Sequence, residues 1–72
     1  MSYATFPREF KESNLSLSEA IAASRTLVAD ATGMRMTVDG IYICERESGK
    51  TWDGGTGRGD PRFWYALITF HR

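Results

Sequence analysis

Apolar side chains recur with a helical period between Ser16 and Gly33. The stripe has the i, i+3, i+4, i+7 spacing of an amphipathic helix, and its members are Leu17, Ala20, Ile21, Ser24, Leu27, Val28 and Ala31. Ser16 and Glu19 have the spacing of a capping box, so the helix is predicted to begin at Leu17. Gly33 is predicted to end it in a left-handed conformation, because glycine has no Cβ to clash at positive φ.

After the helix the pattern changes to the two-residue period of a β-strand. Residues 34–38 and 41–44 each alternate apolar and polar side chains, and an Asp-Gly pair at 39–40 separates them. Asp-Gly supplies the positive φ angles of a two-residue type I′ turn. We therefore predict a hairpin in which Val38 lies opposite Ile41.

Two turn-forming segments follow this hairpin. The Ser-Gly pair at 48–49 is predicted to return the chain through Lys50 and to set Trp52 opposite Glu45. Residues 53–61 contain four glycines, which favour a flexible connection over a strand or a helix.

The segment from Arg62 to His71 is dense in aromatic and branched residues, and it is predicted to form the longest strand of the sheet. Both of its faces are apolar, with Phe63, Tyr65 and Leu67 on one and Trp64, Ala66, Ile68 and Phe70 on the other. Such a strand is either central and covered twice or in contact with a partner. The helix is expected to cover one face. The other face is covered either by the N-terminal segment, with Tyr3, Phe6 and Phe10, or by a second molecule, which includes a second copy of this chain.

The N-terminal segment, residues 1–14, is predicted to lie outside the helix. Pro7 and a cluster of charged residues argue against a central strand here, although residues 3–6 are able to pair at an edge. The charged residues are Arg8, Glu9, Lys11 and Glu12. The sequence predicts one α+β domain over residues 1–72, in which one amphipathic helix packs on a three- to four-stranded antiparallel meander in two layers.

Length and composition fit one folded cytoplasmic domain. A chain of 72 residues has material for one core, since it buries only roughly 60% of its unfolded surface. Nine acidic and nine basic side chains cancel, so no overall field attracts nucleic acid or an anionic membrane. The single cysteine, Cys44, excludes an intramolecular disulfide and is typical of a reducing compartment. Without a long apolar run or a leader pattern, we expect no membrane contact.

The sequence offers no catalytic or metal-binding set. It contains one histidine, His71, and one cysteine, whereas a nucleophile needs an adjacent base and a metal needs three or four ligands. The remaining acidic side chains near the glycine-rich segment are interpreted as surface charge; they are Glu45, Glu47, Asp53 and Asp60. We therefore expect a protein that is not an enzyme and has no cofactor.

Candidate partner contacts surround the glycine-rich segment. They are Trp52, Arg58, Asp60, Arg62, Trp64 and Tyr65. Trp, Tyr and Arg dominate the energetics of protein interfaces, but aromatic and arginine side chains on a sheet also stack the bases of single-stranded nucleic acid. Because the chain has no basic excess, a protein partner is favoured over nucleic acid.

The chain resembles the small inhibitors that phages and mobile elements encode, including anti-CRISPR proteins. The features that carry this resemblance are a capped helix from Ser16 to Gly33, short strands after it and the lack of a catalytic set. The resemblance rests on size and element order and transfers no residue role. It implies stoichiometric blocking of a host defence complex, through a nucleic-acid channel or a subunit interface. Members that mimic DNA are acidic, and the neutral charge of this chain departs from that mode.

Overall fold

The computed structural model describes residues 8–55 and 62–72, which form one helix packed on one three-stranded sheet. The elements are β1 (Arg8–Leu15), α1 (Leu17–Gly33), β2 (Thr37–Glu45) and β3 (Trp64–His71). The sheet is antiparallel with the order β1-β3-β2. The predicted two-layer α+β class is confirmed. The connectivity departs from a simple meander, because α1 carries the chain from one edge strand to the other across β3.

The predicted start of the helix is confirmed by its capping geometry. The backbone N–H of Glu19 donates to Ser16 Oγ at 3.1 Å, and the backbone N–H of Ser16 donates to Glu19 Oε1 at 2.8 Å. These two bonds satisfy donors that an uncapped first turn leaves without partners. The bond from the Ser16 backbone lowers the pKa of Glu19 below its ordinary value of 4.5, and the Ser16 hydroxyl acts in the same direction.

Acidification is expected to weaken this cap. Because the pKa of Glu19 is depressed in the folded state, its contribution is present above the unfolded pKa and is lost as the pH falls through the folded pKa. The Glu19→Gln variant keeps an acceptor for the Ser16 N–H but does not titrate. Urea unfolding at neutral pH and below pH 4.5 is therefore expected to show a larger loss of stability in the wild type than in the variant. Equal losses in both proteins would show that Glu19 does not contribute to the pH dependence.

The helix ends at Gly33, as predicted, but the geometry of its cap differs from the prediction. Arg35, and not Gly33, has the left-handed conformation, with φ of 62°. The Met36 N–H donates to the Ala31 carbonyl and the Arg35 N–H to the Thr32 carbonyl, both at 2.9 Å, which is the bonding pattern of a Schellman cap. Met36 and Ala31 are both buried in one cluster. Because Ala31 and Met36 pack together, the left-handed residue of the cap is Arg35, two positions after Gly33.

Replacing Arg35 with glycine is expected to stabilise the protein. A left-handed L-residue costs about 1 to 2 kcal/mol, and the greater freedom of glycine in the unfolded chain offsets about half of that gain, leaving about 0.5 to 1 kcal/mol. The matched control is Arg35→Ala, which removes the same side chain but keeps the Cβ. A rise in the urea midpoint for Arg35→Gly alone supports the strain argument, whereas an equal rise in both variants assigns the gain to loss of the arginine side chain.

The predicted hairpin at 39–40 is wrong, because Asp39 and Gly40 lie inside the continuous strand β2. β3 pairs with β2 on both sides of this point, and a bulge between Val38 and Gly40 accommodates the extra residue. Backbone pairing with β3 on both sides of residues 39–40 takes the place of the predicted turn. The Asp39 carboxylate instead contacts the His71 ring, with 2.7 Å between Oδ1 and Nδ1.

The chain does return after β2, as predicted, but in another register. The Gly49 N–H donates to the Glu45 carbonyl, and Cys44 pairs with Thr51 in an isolated bridge. The Trp52 N–H donates to the Ile43 carbonyl at 2.6 Å. Trp52 is therefore opposite Ile43, and the predicted position opposite Glu45 is wrong.

The last strand is central, but it is not the longest. β3 has eight residues and β2 has nine. Along β3 the burial alternates at every residue from Trp64 to Phe70, with the even-numbered residues buried. The predicted division of the strand into two faces is thus confirmed for these residues. Phe63 departs from it, because it precedes β3 and packs against the helix-side core.

The core lies between α1 and one face of the sheet. One cluster consists of Ala20, Ala23, Trp64 and Ala66. A second consists of Ala31, Met36, Ile68 and Phe70. Leu27 packs against both. Because alanine has a short side chain, three buried alanines bring this helix close to the central strand.

The N-terminal charge cluster belongs to an edge strand. β1 pairs with β3 from Arg8 to Glu12, and its register shifts between Glu12 and Leu15, where Asn14 has φ of 61°. Phe10 packs against the second cluster on the helix side, so it does not cover the opposite face of the sheet. The predicted edge pairing of residues 3–6 lies outside the described part of the chain.

Candidate protein-binding face

Those predicted contact residues that the structure describes do not form one surface. Trp64 is only 2% exposed, and its indole nitrogen has no hydrogen-bond partner among residues 8–55 and 62–72. Trp52 is half-buried against the same cluster, and its indole N–H donates to the Gly55 carbonyl at 2.9 Å. We therefore assign both tryptophans to the helix side of the sheet, with Trp64 in the core.

The other predicted residues lie apart from the tryptophans. Arg62 is exposed and lines a shallow groove of about 250 Å³ beside the start of α1. Tyr65 lies on the face of the sheet opposite the helix, since it is out of phase with the buried residues of β3. Arg58 and Asp60 lie outside the described residues, so their contact roles remain predictions.

We call the sheet surface opposite the helix the open face. Directly opposite residues of paired strands share a face, so the register assigns to it Glu9, Lys11, Tyr42, Cys44, Tyr65, Leu67 and Thr69. Leu67 lies at its centre, between Lys11 on β1 and Tyr42 on β2. Within residues 8–55 and 62–72, no helix or strand lies over this face.

The Tyr42 ring lies over Gly40 of the same strand. A Cβ built on Gly40 would lie 2.5 Å from Tyr42 Oη and 2.7 Å from the ring, so the absent side chain leaves the space that the ring occupies. Tyr42 is nevertheless 40% exposed. An accessible tyrosine makes a large contact area available at a low entropic cost, because its side chain has only two χ angles.

Tyr65 is held by its neighbours on either side. The Lys11 ammonium lies 4.4 Å from the Tyr65 ring centroid, a cation–π contact. A hydrogen bond with the buried Cys44 raises the pKa of Tyr65 above its ordinary value of 10.0, and burial acts in the same direction. At neutral pH the open face therefore presents a neutral phenol beside a cation.

Comparison with known proteins assigns no family. No family model matches the chain, and neither a curated protein nor a solved structure matches it.

The described residues bring one histidine and one carboxylate into contact. Residues 8–55 and 62–72 bring together no group of three or more His, Cys, Asp or Glu side chains able to hold a metal ion. The Asp39–His71 pair is exposed and links the β2 bulge to the end of β3. In the same residues, no helix has the length and apolar character needed to cross a membrane.

Sequence reasoning missed Tyr42 and Lys11 as surface candidates. The sequence pattern predicts Tyr42 in the return strand of a hairpin, and it predicts no strand at Lys11. Their common face becomes visible only when both are aligned with Leu67. That alignment depends on pairings between residues far apart in sequence, for which a local pattern gives no signal.

Proposed function

We propose that this domain is a non-catalytic protein-binding module whose partner surface is the open face, and that it acts in the cytoplasm as a phage-encoded, stoichiometric inhibitor of a host defence complex. The mechanism is steric occlusion. One observation carries the proposal: Tyr42 and Tyr65 flank Leu67 on a sheet surface over which no described element lies. A second apolar face on a central strand favours contact with another molecule.

The chemistry of the open face supports a protein as the partner. Tyrosine combines a large contact area with a hydrogen-bonding hydroxyl, and it is enriched at the centres of protein interfaces. Lys11 and Glu9 lie on the edge strand beside this centre and are exposed. Charges of both signs beside an apolar centre give orientation to a protein contact.

Single-stranded nucleic acid is the second candidate, and the two tyrosines favour it. Aromatic rings on the exposed face of a sheet stack bases, and Lys11 supplies a cation beside one of them. The same strand places Glu9 on this face, however, and the chain has no net positive charge. Both features lower the attraction to a phosphate backbone, so the protein partner is the stronger proposal.

An interference assay in bacteria tests the inhibitor function. Strains with active CRISPR systems of several types would express the protein and be challenged with a phage that each system targets. Wild-type protein is expected to restore plaque formation in at least one strain. The open-face variant Tyr42→Thr/Leu67→Thr is expected to abolish this effect, because it removes apolar contact area while retaining residues that favour strands.

The matched control removes exposed apolar area away from the open face. Met34 and Ile41 are 50% and 54% exposed, and Ile41 lies opposite Ile68 on the helix side. The Met34→Ser/Ile41→Thr variant is therefore expected to inhibit as the wild type does. Failure of the wild type in every strain would remove the inhibitor assignment, and equal activity of both variants would remove the open face as its surface.

A direct titration separates the two candidate partners. An oligothymidine single strand would be added to the protein at low salt while tyrosine and tryptophan fluorescence is followed. Saturable quenching that weakens steeply with added salt would favour nucleic-acid binding. The protein-partner proposal expects no saturable change even at low salt.

A further inference from the structure

The outer edge of β1 exposes backbone groups at defined positions. The Ile43 carbonyl accepts from the Trp52 N–H, so the backbone groups of Ile43 point away from β3. Ala66 lies opposite Ile43 in a pair without hydrogen bonds. The backbone N–H and C=O of Ala66 therefore point toward β1. Ala66 lies opposite Glu12. Backbone direction alternates along a strand, so residues 8, 10 and 12 bond to β3 and residues 9 and 11 present N–H and C=O groups at the edge.

The charges on this edge are complementary to their own reversed order. From Arg8 to Glu12 the side chains are positive, negative, aromatic, positive and negative. If a second copy runs antiparallel with Phe10 opposite Phe10, Arg8 faces Glu12 and Glu9 faces Lys11. All four charged residues are exposed, and none forms an ion pair within the described residues.

Backbone bonding and charge require the same register. Residues 9 and 11 have backbone groups that point outward from the edge. In this register Glu9 of each copy lies opposite Lys11 of the other copy, and both pairs are hydrogen-bonded. Phe10, half-buried and 4.6 Å from the Phe70 ring centroid, meets its copy in a non-hydrogen-bonded pair, where side chains lie closest. The bulge after Glu12 ends the regular stretch where the complementary charges end.

We propose that two copies of this chain associate through β1, about a two-fold axis perpendicular to the sheet, to form one six-stranded antiparallel sheet. This inference stands independently of the proposed function. The two helices lie on the same side of the joined sheet, and the two open faces form one continuous surface. Like all two-fold interfaces, this contact uses the same patch on both copies.

The other edge of the sheet is less suited to self-pairing. Residues 50–52 already bond to the outer side of β2 at Ile43 and Glu45, and a bulge interrupts β2 between Val38 and Gly40. Bulges at an edge oppose pairing with another strand. The regular, charge-complementary edge is therefore β1.

Charge reversal tests the register directly. Sedimentation equilibrium over a roughly hundredfold concentration range suits a five-residue pairing, because small interfaces associate weakly. The Glu9→Lys and Lys11→Glu variants each place like charges opposite one another twice, and each is expected to raise the dissociation constant about tenfold or more. An equimolar mixture of the two variants restores every opposite-charge pair and is expected to associate as the wild type does.

Matched controls exclude attraction between net charges alone. Glu47→Lys and Lys50→Glu make the same changes in net charge at exposed positions after β2, and each is expected to associate like the wild type. Thermal unfolding confirms that all variants are folded. A wild type that stays monomeric across the range, or single variants that associate like the wild type, would overturn the proposal. So would a mixture that fails to recover association.

Discussion

Replacing Trp64 with alanine is expected to lower the free energy of unfolding by about 3 to 5 kcal/mol. Trp64 is among the largest fully buried side chains, and it packs against Ala20, Ala23 and Ala66. The buried neighbours are alanines with no flexible atoms to move into the space that the indole leaves. Only partly buried side chains such as Phe63 and Leu27 are able to move toward it, so most of the cavity is expected to persist. A chain of this length has a total stability of about 4 to 11 kcal/mol. Urea unfolding followed by circular dichroism measures the loss, and a largely unfolded variant agrees with the prediction.

A second substitution at the same position separates volume from polarity. Trp64→Phe keeps an aromatic ring and removes an indole N–H that has no acceptor in the described part of the chain. Removing an unsatisfied buried donor offsets part of the cavity cost, so the loss is expected to stay below about 2 kcal/mol. A Trp64→Phe variant as unstable as Trp64→Ala would contradict the assignment of this nitrogen as unsatisfied.

Replacing Phe70 with alanine is expected to have a similar effect, a loss of about 3 to 5 kcal/mol. Phe70 is 2% exposed and belongs to the cluster with Ala31, Met36 and Ile68. Its ring also contacts Phe10, with 4.6 Å between the centroids and a tilt of 56°. The substitution therefore removes a core side chain and the contact that Phe10 of β1 makes with this helix-side cluster.

The Phe10→Ala variant serves as the comparison, because Phe10 is only half-buried. Its loss of stability is expected to be smaller than that of Phe70→Ala. In the double variant the two losses are expected to fall short of additivity by about 0.5 to 1.5 kcal/mol, the coupling typical of an aromatic pair. Strict additivity would show that the two rings do not interact.

The sequence was a good guide where structure depends on neighbours along the chain. The helix bounds follow from the Ser16 cap and the apolar stripe, and both bonds of the predicted capping box are present. The end of the helix shows the limit of the same reasoning. Glycine preference pointed to Gly33, but the contact between Ala31 and Met36 sets the left-handed position at Arg35.

Pairings between distant residues account for the errors. The Asp-Gly pair at 39–40 has a strong turn preference, yet bonding to β3 along all of β2 outweighs one tight turn. The described contact residues lie on different surfaces for a related reason. Trp64 and Tyr65 are adjacent and both aromatic, and their different roles depend only on which face of β3 the helix covers. An apolar pattern on both faces gives no preference between them.

The position of β3 in the chain has a consequence for synthesis. β1 and β2 both take their strand partners from β3, which is the last of the elements to be made. During translation, β1 and β2 are therefore complete before β3, the strand that joins them, has been made. Until then the edges of both strands have no strand partner, and the apolar side of α1 has no sheet to pack on. Folding is expected to begin only after β3 leaves the ribosome. Before that point the incomplete chain exposes apolar surface to chaperones and is prone to misassembly.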